Sequence, residues 1–250
     1  MQAMIAGNWK MNLTPDEAEA YVRRFAPRVA KASAEVVLFP AFPSLDRVGR
    51  ALADTAISLG AQDLCSEPRG AFTGAVSAEM LVACGCRYVL VGHSERRHVF
   101  GESDELVRRK LEAAGRAGLS PVLCIGETLE QRRRGETVAV LNAQLQAALA
   151  GLDLATLRRV VIAYEPVWAI GTGETATQEQ AQEAAAAVRE TTRRAHGDGI
   201  ASALRILYGG SVKPENAGVL LAQPDLHGAL VGGASLDPEG FAAIVLAGAA

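Results

Sequence analysis

The chain of 250 residues has little lysine: four of its 25 basic residues are lysines, which leaves 21 arginines. It also has little net charge, since the formal value is −3 and the isoelectric point is about 5.9. Domains that bind nucleic acid carry clustered basic residues and a high isoelectric point. The composition therefore predicts a protein without a nucleic-acid partner.

Cysteine is scarce as well. The four cysteines are Cys65, Cys84, Cys86 and Cys124, and their spacing does not match that of a zinc site. Free thiols are typical of a reducing compartment. We expect reduced cysteines and no bound metal.

Long apolar runs are missing. No run reaches the roughly 20 residues that a membrane-spanning helix needs. The N-terminus also lacks the basic start and apolar core of a signal peptide. These absences predict a cytoplasmic protein that has no membrane partner.

Hydrophobic residues are plentiful, at 49% of the chain against 21% charged residues. This balance is typical of a compact protein with a large core. A length of 250 residues would allow two domains, but α/β barrels of this size routinely form one. We expect a single domain over residues 1–250.

Short apolar runs alternate eight times with longer amphipathic ones along the chain. The predicted strands are 4–8, 36–40, 57–62, 88–92, 121–125, 160–165, 204–208 and 229–232. The predicted helices are 15–26, 44–53, 77–84, 103–117, 129–150, 178–196, 214–221 and 238–246, with Pro27 ending or kinking the first.

Strict alternation predicts a parallel α/β sheet, and eight units predict that the sheet closes into a barrel. A doubly wound open sheet is the alternative architecture. That fold usually has a glycine fingerprint after its first strand, whereas this chain has Asn8, Trp9 and Lys10 there. We therefore predict a closed eight-stranded parallel (β/α)8 barrel.

The stretch 163–173 is the most informative part of the chain. Glu165 ends a β-branched strand, and Pro166 stops strand pairing directly after it. The apolar segment 167–170 then stands where a surface loop is expected, and a lid that closes over a ligand explains it. An ordinary loop beside a solvated glutamate is the alternative for an isolated Glu-Pro pair.

Other strand ends also carry polar groups, which matters because barrel chemistry lies at the carboxyl ends of the strands. Asn8 and Lys10 follow the first strand, and strand alternation places them on one side of the chain. His93 follows the fourth strand and opens a short polar turn, whose helical N-terminus would favour a neutral imidazole. Taken singly, a strand-end lysine is usually solvated and a lone histidine is usually structural.

Paired glycines follow the last two predicted strands, in segments 208–211 and 231–234. One such pair is a weak turn signal. Two pairs after the last strands of a barrel are typical of a phosphate site, because backbone N–H groups can approach an anion closely there.

These motifs resemble the triosephosphate isomerase family in five segments, and the similarity extends over residues 4–246. The resemblance implies the TIM-barrel fold and the interconversion of dihydroxyacetone phosphate and D-glyceraldehyde 3-phosphate, without a metal or organic cofactor. It implies that Glu165 is the base, that His93 polarises the carbonyl and that Lys10 neutralises negative charge. Asn8 would orient the substrate, and Glu95 would join the same polar network.

The resemblance also implies binding partners. The backbone N–H groups of the phosphate site would belong to Gly171, Ser211, Gly232 and Gly233. The loop 70–74 would insert into a second subunit beside its Lys10 and His93, giving a homodimer. Three departures from the family pattern, at Asp63, Ala75 and Glu174, affect the subunit contact and the lid.

Three other functions remain to be weighed. A metal-dependent sugar-phosphate epimerase would need several metal ligands at the barrel mouth, where His93 is the one histidine. A Schiff-base aldolase would need a lysine on a later strand, and the predicted strands two to eight contain none. A sugar-phosphate-binding protein would need the glycines but not both Glu165 and His93.

Overall fold

The computed structural model describes residues 1–170 and 174–248. Eight parallel strands form a closed barrel in which each strand pairs with its neighbours in sequence and β8 pairs with β1. This confirms the predicted fold. The strands are β1 Met4–Asn8, β2 Glu35–Phe39, β3 Ser58–Ala61, β4 Tyr88–Val91, β5 Ser120–Ile125, β6 Val161–Tyr164, β7 Arg205–Tyr208 and β8 Gly228–Val231.

The core has two layers that follow from strand alternation. Met4 and Ala6 point into the barrel, where they join a cluster that includes Phe39 of β2. Ile5 points outward into the larger cluster between the sheet and the helices. Asn8 continues the inward set, which directs a polar side chain to the mouth of the barrel.

Helices cover the outside of the barrel. Capping boxes begin three of the helices, at Thr14, Thr128 and Thr177. The helices are α1 Pro15–Val29, α2 Leu45–Ala51, α3 Ala78–Ala83, α4 Ser94–His98, α5 Asp104–Arg116, α6 Leu129–Arg133, α7 Thr137–Leu149, α8 Leu154–Leu157, α9 Gln178–His196, α10 Asp198–Ala203, α11 Pro214–Leu221 and α12 Pro238–Ala247.

Two helix predictions were wrong in detail. The predicted helix 129–150 is two helices, because Gly135 adopts a φ of 72° that ends α6. Pro27 does not end α1, which continues to Val29. The proline lies in the last turn, where only one backbone hydrogen bond is lost.

The described helices all lack the combination of length and apolar character that crossing a bilayer requires. The four cysteines are free thiols, of which Cys86 and Cys124 are buried.

Candidate active site

A cavity of about 390 Å³ opens at the carboxyl ends of the strands. Most of the predicted site residues line it, although they come from five different strand ends. Glu95 lies next to the cavity and contacts Lys10, whereas Gly171 lies outside the described residues. The predicted site residues that line the cavity are Asn8, Lys10, His93, Glu165, Ser211, Gly232 and Gly233.

The Glu165 carboxylate is held at the mouth on a rigid backbone. Its N–H donates to the Ile125 carbonyl at 2.8 Å, which extends the pairing of β5 and β6 by one residue. The side chain is 2% exposed, and its Oε2 accepts a hydrogen bond of 2.8 Å from the Ser94 N–H. Its Oε1 lies 3.1 Å from Nε2 of His93. The buried carboxylate is therefore oriented by a backbone donor and by the neighbouring imidazole before any ligand arrives.

His93 is the N-cap residue of α4, and this position determines which ring nitrogen carries hydrogen. Nδ1 accepts a hydrogen bond of 3.2 Å from the Glu95 N–H, so Nδ1 is unprotonated. The hydrogen of the neutral ring is then on Nε2, which lies 3.1 Å from Oε1 of Glu165. The predicted neutral imidazole thus has a specific donor atom facing the cavity.

Lys10 adopts a strained backbone conformation with a φ of 53°. A left-handed backbone conformation destabilises a non-glycine residue by about 1–3 kcal/mol, and it persists only when neighbouring groups stabilise it. Oδ1 of Asn8 accepts the Lys10 N–H at 3.0 Å, and Nε2 of Gln62 donates to the Lys10 carbonyl at 2.8 Å. The Lys10 ammonium lies 2.5 Å from Oε1 of Glu95. Three groups therefore fix one lysine at the mouth.

The paired glycines form a cradle of backbone donors. Within the described part of the chain, the N–H groups of Ser211, Gly232 and Gly233 donate to no protein atom. Gly233 begins the 3₁₀ helix Gly233–Leu236, whose N-terminus carries partial positive charge. A Cβ at Gly232 would lie 3.3 Å from Cε of Lys10, so glycine lets the lysine approach closely. The arrangement suits a small anion.

These features agree with the sequence comparisons. The family model described as Triosephosphate isomerase matches residues 3–248. The chain belongs to the triosephosphate isomerase family.

Curated relatives named Triosephosphate isomerase are similar over nearly the whole chain. The protein of Symbiobacterium thermophilum is 53% identical over 247 residues, which cover 98% of this chain and 96% of the relative. The protein of Moorella thermoacetica is 53% identical over 242 residues and 97% of each chain. That of Geobacter metallireducens is 53% identical over 243 residues and 97% of each chain.

The sequence did not reveal a polar cluster beside the segment 167–170 of this triosephosphate isomerase family member. The buried Glu127 carboxylate accepts hydrogen bonds from Trp168 Nε1 at 3.0 Å and Tyr164 Oη at 3.2 Å. Arg132 pairs with the same oxygen at 3.1 Å, and its guanidinium lies 4.7 Å from the Trp168 ring. The cluster holds the 3₁₀ helix Val167–Ala169 that follows Glu165.

A run of three arginines at a helix end, 132–134, favours a solvated segment, and the structure bears this out only in part. Arg133 and Arg134 are exposed, and Arg134 forms surface pairs with Glu130 and Glu136. Arg132 instead turns inward to Glu127. Charge patterns cannot reveal this, because Glu127 and Trp168 meet only in the folded barrel.

The sequence did not place two further residues, Gly209 and Cys124, next to Glu165. Gly209 packs so closely that a Cβ there would lie 2.8 Å from Cγ of Glu165. Cys124 is completely buried, and this burial raises the pKa of its thiol well above the usual value, with the charge of Glu165 adding to the rise. The thiol therefore stays protonated beside the carboxylate, as expected of a structural cysteine.

Proposed function

We propose that Glu165 is the general base of this enzyme. The reaction, which the chain shares with its family, interconverts dihydroxyacetone phosphate and D-glyceraldehyde 3-phosphate. Glu165 takes a proton from the carbon beside the carbonyl, and the carbonyl π electrons move to oxygen to give an enediolate. The carboxylic acid then returns a proton to the neighbouring carbon, while the proton of the adjacent hydroxyl group passes to the former carbonyl oxygen, which leaves the carbonyl on the first carbon. One base suffices because the two carbons are adjacent.

We propose that His93 acts as the electrophile. Its Nε2–H faces the cavity and is the group that would donate to the carbonyl oxygen as negative charge develops there. The observation that carries this assignment is the hydrogen bond from the Glu95 N–H to Nδ1, because it leaves the proton on Nε2. Glu165 must turn away from His93 and Ser94 when substrate lies between base and electrophile.

Lys10, Asn8 and Glu95 are proposed to support the charged intermediate. The Lys10 ammonium would neutralise the negative charge of the substrate and of the enediolate. Asn8, which is 4% exposed and fixes the Lys10 backbone, would orient the substrate. Glu95 would keep the ammonium in place through its 2.5 Å contact.

The phosphate group is proposed to bind the glycine cradle. Ser211, Gly232 and Gly233 supply N–H groups on one wall of the cavity. The same proposal assigns a further N–H to Gly171. Backbone donors at the last two strands of a barrel suit phosphate, because their geometry is rigid and no side chain intervenes.

The active form is proposed to be a homodimer that contacts through the loop 70–74. In support, the whole loop is exposed and Phe72 at its tip is 49% exposed. Near the mouth, Met11, Val99 and Phe100 are 94%, 74% and 65% exposed. Exposed apolar clusters of this kind are typical of protein interfaces. Since Met11 follows Lys10 directly, the contact would also support the catalytic segment.

The site of action is proposed to be the cytoplasm, with residues 1–250 acting as one barrel domain. Four free thiols support a reducing compartment. The family match over residues 3–248 supports a single unit.

The decisive experiment is an assay of D-glyceraldehyde 3-phosphate turnover, coupled to reduction of the product dihydroxyacetone phosphate. The purified protein is assayed in a chelator and without added metal. Isomerisation that persists there separates the proposal from a metal-dependent epimerase. Turnover that resists borohydride treatment in the presence of substrate separates it from a Schiff-base aldolase. A protein that binds the substrate but leaves it unchanged would be a binding protein, and the proposed function would be wrong.

A further inference from the structure

Lys213 lies on the rim of the active-site cavity, two residues after Ser211 of the glycine cradle. It is the N-cap residue of α11 and one of only four lysines in the chain. Neither the sequence motifs nor the proposed mechanism uses its side chain.

The backbone around Lys213 is fixed, whereas its side chain is exposed. The Lys213 N–H donates to Oδ1 of Asn216 at 2.8 Å, and Nδ2 of Asn216 donates to the Ser211 carbonyl at 3.1 Å. Val212 between them is buried. The turn therefore holds the backbone of Lys213 at a constant distance from the glycine cradle.

The other charges at the cavity do not attract an anion from a distance. Lys10 is paired with Glu95 at 2.5 Å, so the two charges cancel beyond a few ångströms. Glu165 is a carboxylate, and the whole chain has a formal charge of −3. Lys213 forms no ion pair with the residues that the structure describes. Among the described residues that line the cavity, Lys213 is thus the one lysine whose positive charge is not paired with a carboxylate.

We propose that Lys213 is a capture residue for the phosphorylated substrate. Its ammonium attracts the phosphate dianion to the rim and delivers it to the N–H groups of Ser211 and Gly233. A positive charge at the entrance of a cleft raises the encounter rate of an anion, and added salt weakens the effect. The inference rests on the proposed function, since it concerns the same substrate and the same cavity.

The test compares Lys213→Gln with Lys31→Gln, which removes the same charge from an exposed site. Lys31 precedes β2 and so lies at the opposite end of the barrel from the cavity. We expect Lys213→Gln to lower kcat/KM at low ionic strength by about two- to five-fold, with little change in kcat. Lys213→Glu should lower kcat/KM further, and Lys213→Arg should restore it. Lys31→Gln should behave as the wild type.

Salt dependence and phosphate binding supply the second readout. The wild-type kcat/KM should fall with ionic strength more steeply than that of Lys213→Gln, so the two converge at high salt. The inhibition constant of inorganic phosphate should rise in Lys213→Gln by a similar factor. Equal salt slopes for the two proteins, an equal loss in Lys31→Gln, or a loss confined to kcat would each overturn the proposal. An inactive wild-type protein would instead overturn the proposed function.

Discussion

Nε2 of His93 lies 3.1 Å from Oε1 of Glu165, so the two groups proposed to have opposite roles in proton transfer are in direct contact. The Ser94 N–H holds the other carboxylate oxygen at 2.8 Å. Both contacts come from the start of α4, which therefore orients the proposed base and the proposed electrophile together. In the proposed mechanism, Glu165 exchanges these partners for the substrate C–H bond.

Replacing Glu165 with glutamine should abolish most turnover and leave the fold intact. The amide fits the same space but cannot accept a proton from carbon. General-base catalysis contributes typically ~10²–10⁴-fold, and kcat should fall by at least this factor. Stopped-time assays and circular dichroism measure activity and folding. Glu183→Gln, a substitution on the exposed surface of α9, is the matched control. A near-normal kcat in Glu165→Gln would remove Glu165 from the proposed role.

Replacing Gly209 with alanine should impair catalysis without unfolding the protein. The new methyl group would lie 2.8 Å from Cγ of Glu165 and push the carboxylate away from the Ser94 N–H. Displacement of a catalytic group by about 1 Å costs up to roughly 10²-fold in rate, so we expect kcat to fall by about 10- to 100-fold.

The control for this substitution is Gly199→Ala in α10, where an added Cβ meets no atom within 4 Å. Its kcat should equal that of the wild type. If Gly209→Ala retains full kcat, the position of Glu165 does not depend on this contact.

The raised pKa of the Asp63 carboxyl group predicts an unusual dependence of the protein's stability on pH. Burial raises the pKa of its carboxyl group, although Lys110 at 2.5 Å and Arg96 at 3.1 Å oppose the rise. The folded protein then binds more protons at this site than the unfolded chain, whose pKa is about 3.9. The contribution of Asp63 to stability therefore decreases as the pH rises through the interval between the two pKa values.

Asp63→Asn lacks this titration. The free energy of unfolding of the variant minus that of the wild type should therefore increase between about pH 3.5 and neutral pH. Asp225→Asn should show the opposite trend. Burial opposes ionisation of Asp225 too, but hydrogen bonds from Arg189 and Gln182 lower its pKa below the usual value, so its contribution is lost as the pH falls. Urea unfolding at constant protein concentration measures both trends. Parallel trends in the two variants would contradict this account of Asp63.

The proposed dimer should resist salt. Ala75 cannot pair with an arginine of a second subunit, yet Arg96 and Arg97 both have acidic partners within their own chain. Arg96 pairs with Asp63 and Glu102, and Arg97 pairs with Asp104 at 2.6 Å, all within the chain. Exposed ion pairs contribute ~0–1 kcal/mol, whereas burial of Phe72 contributes ~1.5–3 kcal/mol.

The dissociation constant of the dimer should therefore change little between low and roughly molar salt, because screening acts on exposed charges. Sedimentation equilibrium measures it. Phe72→Ser is the companion variant and should dissociate more readily at every salt concentration. A dimer that separates as salt is added would show that charges hold the subunits together.

The barrel and most of the residues at its mouth could be predicted from the amino-acid sequence. Alternation of strand and helix patterns is local, and so are the capping boxes at Thr14, Thr128 and Thr177, so each could be predicted from a few neighbouring residues. Because barrel chemistry lies at the carboxyl ends of strands, the positions of Glu165 and His93 followed from the strand boundaries.

How these residues are held depends on contacts between distant parts of the chain. The left-handed conformation of Lys10 depends on Gln62 at the end of β3, and the position of the segment 167–170 depends on Trp168 meeting Glu127 across β5 and β6. Each contact joins groups from separate segments through a hydrogen bond that a shift of about 1 Å would break. Their geometry arises from the closure and register of the whole barrel, which no local pattern encodes.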